Sequence, residues 1–110
     1  MSSTTQPTIL ITGATDGIGL ALARIYQERG ARLILVGRRS LDRLDGALFS
    51  PSSYCQADLS HDDSAEKIAR FLYREGIEQL DLLIHNAGLG FYGASETQSL
   101  KSVRELVAVN

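Results

Sequence analysis

A doubly wound, parallel α/β sheet is the fold this sequence predicts, and three features predict it. Four short runs, Thr8–Thr12, Arg32–Val36, Ser53–Ala57 and the stretch from Leu80 to His85, alternate with segments whose apolar residues recur every three or four positions. Runs without polar alternation suit strands covered on both faces, and right-handed strand-helix-strand crossovers lay such strands parallel. The first run ends in glycines at 13, 17 and 19 that open directly onto the first helical pattern. Together these features predict a four-strand sheet in the order 3-2-1-4 with helices on both faces.

Composition bounds the reading. A chain of 110 residues with 44% hydrophobic content makes one domain with a modest core. Residues 1–7 are small and polar with a proline, as in a flexible leader, which leaves 8–110 for the domain. A net charge of −2 argues against nucleic acid as a partner. Cys55 is the single cysteine, so no internal disulfide forms, and the first residues lack a signal-peptide pattern. No apolar run approaches the roughly 18 residues of a membrane span, so the expected setting is cytoplasmic with no membrane contact.

The first strand, Thr8-Ile-Leu-Ile-Thr12, is β-branched and apolar. From Gly17 onward Ile18, Ala21, Leu22, Ile25 and Tyr26 predict one apolar helix face, and Gly30 ends that helix. Between strand and helix, Gly13, Gly17 and Gly19 make a phosphate cradle: free helix N–H groups and the positive end of the helix dipole favour an anion, and glycine lets it approach. The Gly-x-x-x-Gly-x-Gly spacing is a variant of the commonest dinucleotide turn, and alone it is a weak signal. Asp16 is placed to cap the helix.

The second strand, Arg32–Val36, is followed by Gly37-Arg38-Arg39. An acid at this point of a dinucleotide fold reads a ribose 2′-hydroxyl, whereas an arginine accommodates a 2′-phosphate, so Gly37 with Arg38 and Arg39 favours NADP over NAD. Leu41, Leu44 and Leu48 predict a short helix within 40–50, stopped by Pro51. Ser53–Ala57 is the third strand, in which Cys55 reads as a core residue. Ser60 is the expected N-cap of the next helix, with Asp62 and Asp63 in its first turn, Ala65, Ile68, Ala69, Leu72 and Tyr73 on its apolar face and Gly76 at its end. His61 reads as a surface residue without metal partners. The fourth strand runs from Leu80 into Asn86-Ala87-Gly88; His85 reads as a satisfied core histidine, and Asn86 stands at the carboxyl end of the strand, where open α/β sheets place ligands. Phe91 and Tyr92 fall in a loop, and a last helix is expected from about Ser95 with Leu100, Val103, Val107 and Asn110 on one face.

Thr12-Gly-Ala-Thr-Asp-Gly-Ile-Gly19 resembles the Thr-Gly-x-x-x-Gly-Ile-Gly signature of the short-chain dehydrogenase/reductase family. Asn86-Ala87-Gly88 resembles the family's Asn-Asn-Ala-Gly motif, with His85 in place of the first Asn. The resemblance implies a Rossmann-like fold and hydride transfer between a nicotinamide cofactor, NADP before NAD, and a small alcohol or carbonyl substrate. It implies a cofactor site made of Gly13, Thr15, Asp16, Gly17, Ile18, Gly19, Arg38, Arg39, Asp58, Leu59, Asn86, Ala87 and Gly88, with no metal. Asp58 and Leu59 would then meet the adenine, and Asn110, in the Val109-Asn110 pair, would order a water of the proton relay. Asp16 is a departure, since family members that use NADP often carry a basic or small residue there.

None of the tyrosines 26, 54, 73 and 92 has a lysine four residues later, so the Tyr-x-x-x-Lys of the family is absent, as is its catalytic Ser. The expectation is therefore a cofactor-binding half, truncated before the remaining strands, inactive alone and part of a homo-oligomeric enzyme. Its fourth strand would lie at an open edge that invites pairing with another chain. The alternative class is a non-catalytic dinucleotide-binding sensor or scaffold.

Overall fold

The computed structural model describes residues 6–86 and the backbone of residues 94–99. Strand β1 (Thr8–Thr12) leads into helix α1 (Gly17–Glu28), strand β2 (Arg32–Gly37), a 3₁₀ turn at Leu41–Arg43 and strand β3 (Tyr54–Gln56). Helix α2 (Ser64–Arg74), strand β4 (Gln79–His85) and strand β5 (Ala94–Ser99) follow. The first four strands are parallel in the order β3-β2-β1-β4, as the alternation of runs predicts.

Period-two alternation along these strands supplies two cores. Leu10, Ile34, Val36, Cys55 and Leu83 point to the face covered by α2, where Ile68 and Leu72 meet them. Ile9, Ile11, Leu33, Leu35 and Ile84 point to the other face, under Ala23 of α1 and the segment carrying Leu48 and Phe49. Burying both faces is why the strands read as continuous apolar runs rather than alternating ones. It also fixes the carboxyl ends of β1, β2 and β4 in line at one rim of the sheet.

Tyr73, expected on the apolar face of α2, is 82% exposed and Phe71 is buried instead, and expectations for four elements are corrected. The face α1 buries carries Gly19, Leu22, Ala23 and Tyr26, while Ile18 and Ile25 are 61% and 45% exposed. Gly19 and Ala23 let the helix lie close on the strands, so the small residues, not the largest, choose the face. Within 40–50 only a single 3₁₀ turn forms, because Asp45 accepts the Ala47 N–H and diverts the chain into a turn. Helix α2 starts at Ser64 and not after Ser60, since the Asp58 carboxylate takes both the N–H and the hydroxyl of Ser60, at 2.9 and 2.7 Å.

The fourth correction concerns the helix expected from Ser95. Residues Ala94–Ser99 instead form β5, antiparallel to β4 with Ile84 opposite Ala94 and Gln79 opposite Ser99, so the edge of β4 is covered. The apolar spacing cited for the helix begins only at Leu100, and Ala94-Ser-Glu-Thr-Gln-Ser99 has no apolar stripe to pack. An open row of strand N–H and C=O groups is the stronger partner for such a segment. The rest of that expected helix lies outside the described residues.

Candidate functional site

The rim at the carboxyl ends of β1, β2 and β4 opens into a cavity of about 630 Å³. Its floor is the turn from β1 into α1, where Gly13 and Gly17 hold φ of 64° and 58°, a region only glycine enters without strain. Gly19 belongs to the first turn of α1, and a Cβ there would run into the Gly13 carbonyl oxygen and come within 2.8 Å of Asn86 Nδ2. Gly13 and Gly17 thus shape the turn and Gly19 lets strand, helix and Asn86 close on one another, while Gly17 and Ile18 at the start of α1 border the cavity. The Ala14 N–H donates to the Val36 carbonyl at 3.1 Å, tying the turn to the end of β2.

Thr12 and His85, paired in register, lock β1 to β4 beneath this floor. Thr12 Oγ1 accepts the Asn86 N–H at 2.9 Å and lies 2.9 Å from His85 Nδ1. His85 is 2% exposed, and burial pushes its pKa below the usual histidine range, so it is a neutral core residue that also borders the cavity. Its burial and its Nδ1 contact with Thr12 agree with reading it as a core histidine.

The wall after β2 is built by Gly37, Arg38 and Arg39. A Cβ at Gly37 would sit 2.5 Å from Thr15 Cγ2 and 3.0 Å from Tyr54 Oη, so the packing leaves no room for a side chain. Arg39 Nη2 lies 3.4 Å from Asp16 Oδ2, both groups being exposed. Asp16 does occupy the N-cap position of α1, but its carboxylate makes no capping bond and faces Arg39 instead, which corrects the role expected of it. On the far side, the Ser60 hydroxyl and N–H, then His61 and Arg38, hold the Asp58 carboxyl below its ordinary range.

Gly13, Thr15, Asp16, Gly17, Ile18, Arg38, Arg39, Asp58, Leu59 and Asn86 all border this one cavity, and Gly19 lies just under it. Ala87, Gly88 and Asn110 are outside the described residues. Sequence reasoning missed Ser60, taken there for a helix cap, and Ala57; the signal for Ser60 was its position two residues after Asp58, the spacing of an Asx turn. His61 is 66% exposed beside Asp58, and no cluster able to hold a metal occurs among the described residues. No helix among them is long and apolar enough to cross a membrane.

Residues 7–110 match the family model described as short chain dehydrogenase. The chain belongs to that family. It is 37% identical over 106 residues to the serine 3-dehydrogenase of Agrobacterium fabrum, covering 94% of this chain and 42% of the relative. Among solved structures, RhlG of Pseudomonas aeruginosa in complex with NADP superposes with a TM-score of 0.60 at 32% identity, covering 76% of this chain and 35% of RhlG. The 3-ketoacyl-(acyl-carrier-protein) reductase of Brucella melitensis, complexed with NADH, gives 0.62 at 29% identity, with 76% and 35% covered. The chain spans about two-fifths of the length of the curated relatives it matches. Such neighbours carry NAD in some cases and NADP in others, and the cavity fits a cofactor of this class: glycines where a Cβ would collide, a helix start facing inward and a polar rim.

Proposed function

We propose that the chain is the NADP-binding part of an oxidoreductase acting on an alcohol or carbonyl. The observation that carries this reading is the packing at Gly37. An acid that would read a 2′-hydroxyl needs a Cβ there, and that Cβ would overlap Thr15, whereas Arg38 and Arg39 flank the same wall with charge suited to a 2′-phosphate. NAD is the less favoured cofactor because position 37 has no side-chain carboxylate to accept from its free 2′-hydroxyl.

In this reading the turn from Gly13 to Gly19 holds the pyrophosphate through backbone N–H groups. Arg38 and Arg39 neutralise the 2′-phosphate, Asp58 accepts from the adenine amino group, and Leu59 packs on the ring. Asn86 with Ala87 and Gly88 borders the ribose and nicotinamide side. The bound cofactor supplies or accepts the hydride. Asn110 is assigned the ordering of a water in the proton relay, and the acid that serves the substrate oxygen is a Tyr-x-x-x-Lys pair absent from these 110 residues. The chain alone is therefore expected to bind cofactor without turning over. A cytoplasmic setting, in keeping with one free cysteine, and self-association of a longer protein complete the proposal.

Calorimetric titration of NADPH and NADH into the chain and into Arg38→Ala tests it. Tighter NADPH binding that Arg38→Ala largely abolishes supports the reading; equal affinities in the unmodified chain refute it.

A further inference from the structure

We propose that Tyr54 and Gln56 of β3 set the choice between the two nicotinamide cofactors by holding the backbone of Arg38 and Arg39. The inference rests on the reading that this cavity takes NADP.

Residues 54 and 56 are two apart on a strand, so their side chains leave the same face of the sheet, opposite Cys55. The parallel register sets Tyr54 beside Leu35 and Gln56 beside Gly37, which brings both up to the point where the chain leaves β2. There Gln56 Nε2 donates to the Arg38 carbonyl at 3.0 Å, and the Tyr54 hydroxyl donates to the Arg39 carbonyl at 2.7 Å. Two consecutive carbonyls are thus held by two side chains of one neighbouring strand.

The need for such a hold follows from the local sequence. Strand β2 ends at Gly37, so the two arginines follow on backbone outside the strand ladder, and a guanidinium on a swinging backbone loses the alignment that makes its bonds to phosphate strong. Each arginine also has an acid nearby. Arg39 lies 3.4 Å from Asp16, and Arg38 is close enough to Asp58 to help hold that carboxyl ionised. A phosphate must compete with these carboxylates, so guanidinium placement decides how well it does so. Tyr54 is suited to a fixed post: it is 5% exposed, its ring meets Phe49 edge-on with centroids 5.4 Å apart, and its hydroxyl also lies under Gly37. Burial pushes the phenol up to about 12, which keeps it a donor throughout the physiological range.

Tyr54 and Gln56 are positioning residues in this account, since they act through the arginines. NADPH and NADH affinities are measured for the unmodified chain, for Tyr54→Phe and Gln56→Met, and for Tyr54→Phe added to an Arg38→Ala/Arg39→Ala background. Loss of one hydrogen bond is expected to weaken NADPH about three- to tenfold and leave NADH within about twofold, and in the arginine-free background Tyr54→Phe is expected to change neither. Gln56 is exposed, so Gln56→Met tests the idea even if Tyr54→Phe does not fold. A parallel loss of both cofactors, or an effect of Tyr54→Phe that persists without the arginines, overturns the inference. An unmodified chain that prefers NADPH and keeps that preference in both variants overturns the inference alone; one that binds both cofactors equally overturns the NADP reading and the inference with it.

Discussion

Replacing Gly37 by alanine adds one methyl group where the structure has no space for it. The new Cβ would stand 2.5 Å from Thr15 Cγ2, about 0.9 Å inside the 3.4 Å at which ordinary contact begins, and 3.0 Å from Tyr54 Oη. Thr15 is β-branched, so its methyl cannot swing aside without putting Oγ1 in a new place. Overpacking of this kind costs about 1–3 kcal/mol. The contact with the methyl is the tighter one, so Thr15→Ser, which removes only Cγ2, is expected to restore about half of that loss or more when combined with Gly37→Ala, yet to change stability little alone. Urea denaturation of the four proteins in this cycle gives the coupling directly. Additive effects would refute the claim that Thr15 and Gly37 exclude a side chain from the wall, and with it the argument against an acid at that position.

Three further outcomes follow from the same geometry. Arg38→Ala is expected to reduce NADPH affinity by about tenfold or more, the range for a charge-assisted bond, and Asp16→Arg to raise it, as read by cofactor fluorescence titration. His85 has a folded pKa below its unfolded value, so the unfolded chain binds more protons in acid; its contribution is full above about pH 6.5 and is lost as pH falls towards the folded value. Urea midpoints between pH 5 and 8 are expected to fall more steeply on the acid side for the unmodified chain than for His85→Asn. Burial raises the Cys55 thiol to about 11, so it is expected to react with iodoacetamide at pH 7 only after unfolding, which mass spectrometry along a urea series checks.

How much of this was legible in the sequence depends on which force decided each part. The four parallel strands were legible because double-sided burial writes itself as unbroken apolar runs, and the glycine turn because Gly13 and Gly17 take positive φ and Gly19 leaves no space for a Cβ. The buried face of α1 was not, because two overlapping stripes, Ile18-Ala21-Ile25 and Gly19-Leu22-Tyr26, have the same period, and close approach favoured the one with small residues. The start of α2 was misplaced because Ser60 has two possible partners, and the Asp58 carboxylate took it before the helix could. Strand β5 pairs with β4, the element just before it, but its polar sequence carries no apolar alternation, so local pattern does not reveal it. The same holds for the site: Arg38 and Asn86 announce themselves by position after a strand, but the Tyr54 hydroxyl reaches Arg39 across fifteen residues, and Asp16 left its cap for Arg39 across twenty-three.

The central claim is that Arg38 and Arg39 receive a 2′-phosphate at the wall after β2. Phosphorus NMR of NADPH titrated with the chain observes that group separately from the pyrophosphate. The account predicts that the 2′-phosphate resonance shifts on binding and that its pKa falls below that of free NADPH, with both changes lost in Arg38→Ala/Arg39→Ala. A 2′-phosphate that titrates as it does in free cofactor, while the pyrophosphate signals shift, would contradict it.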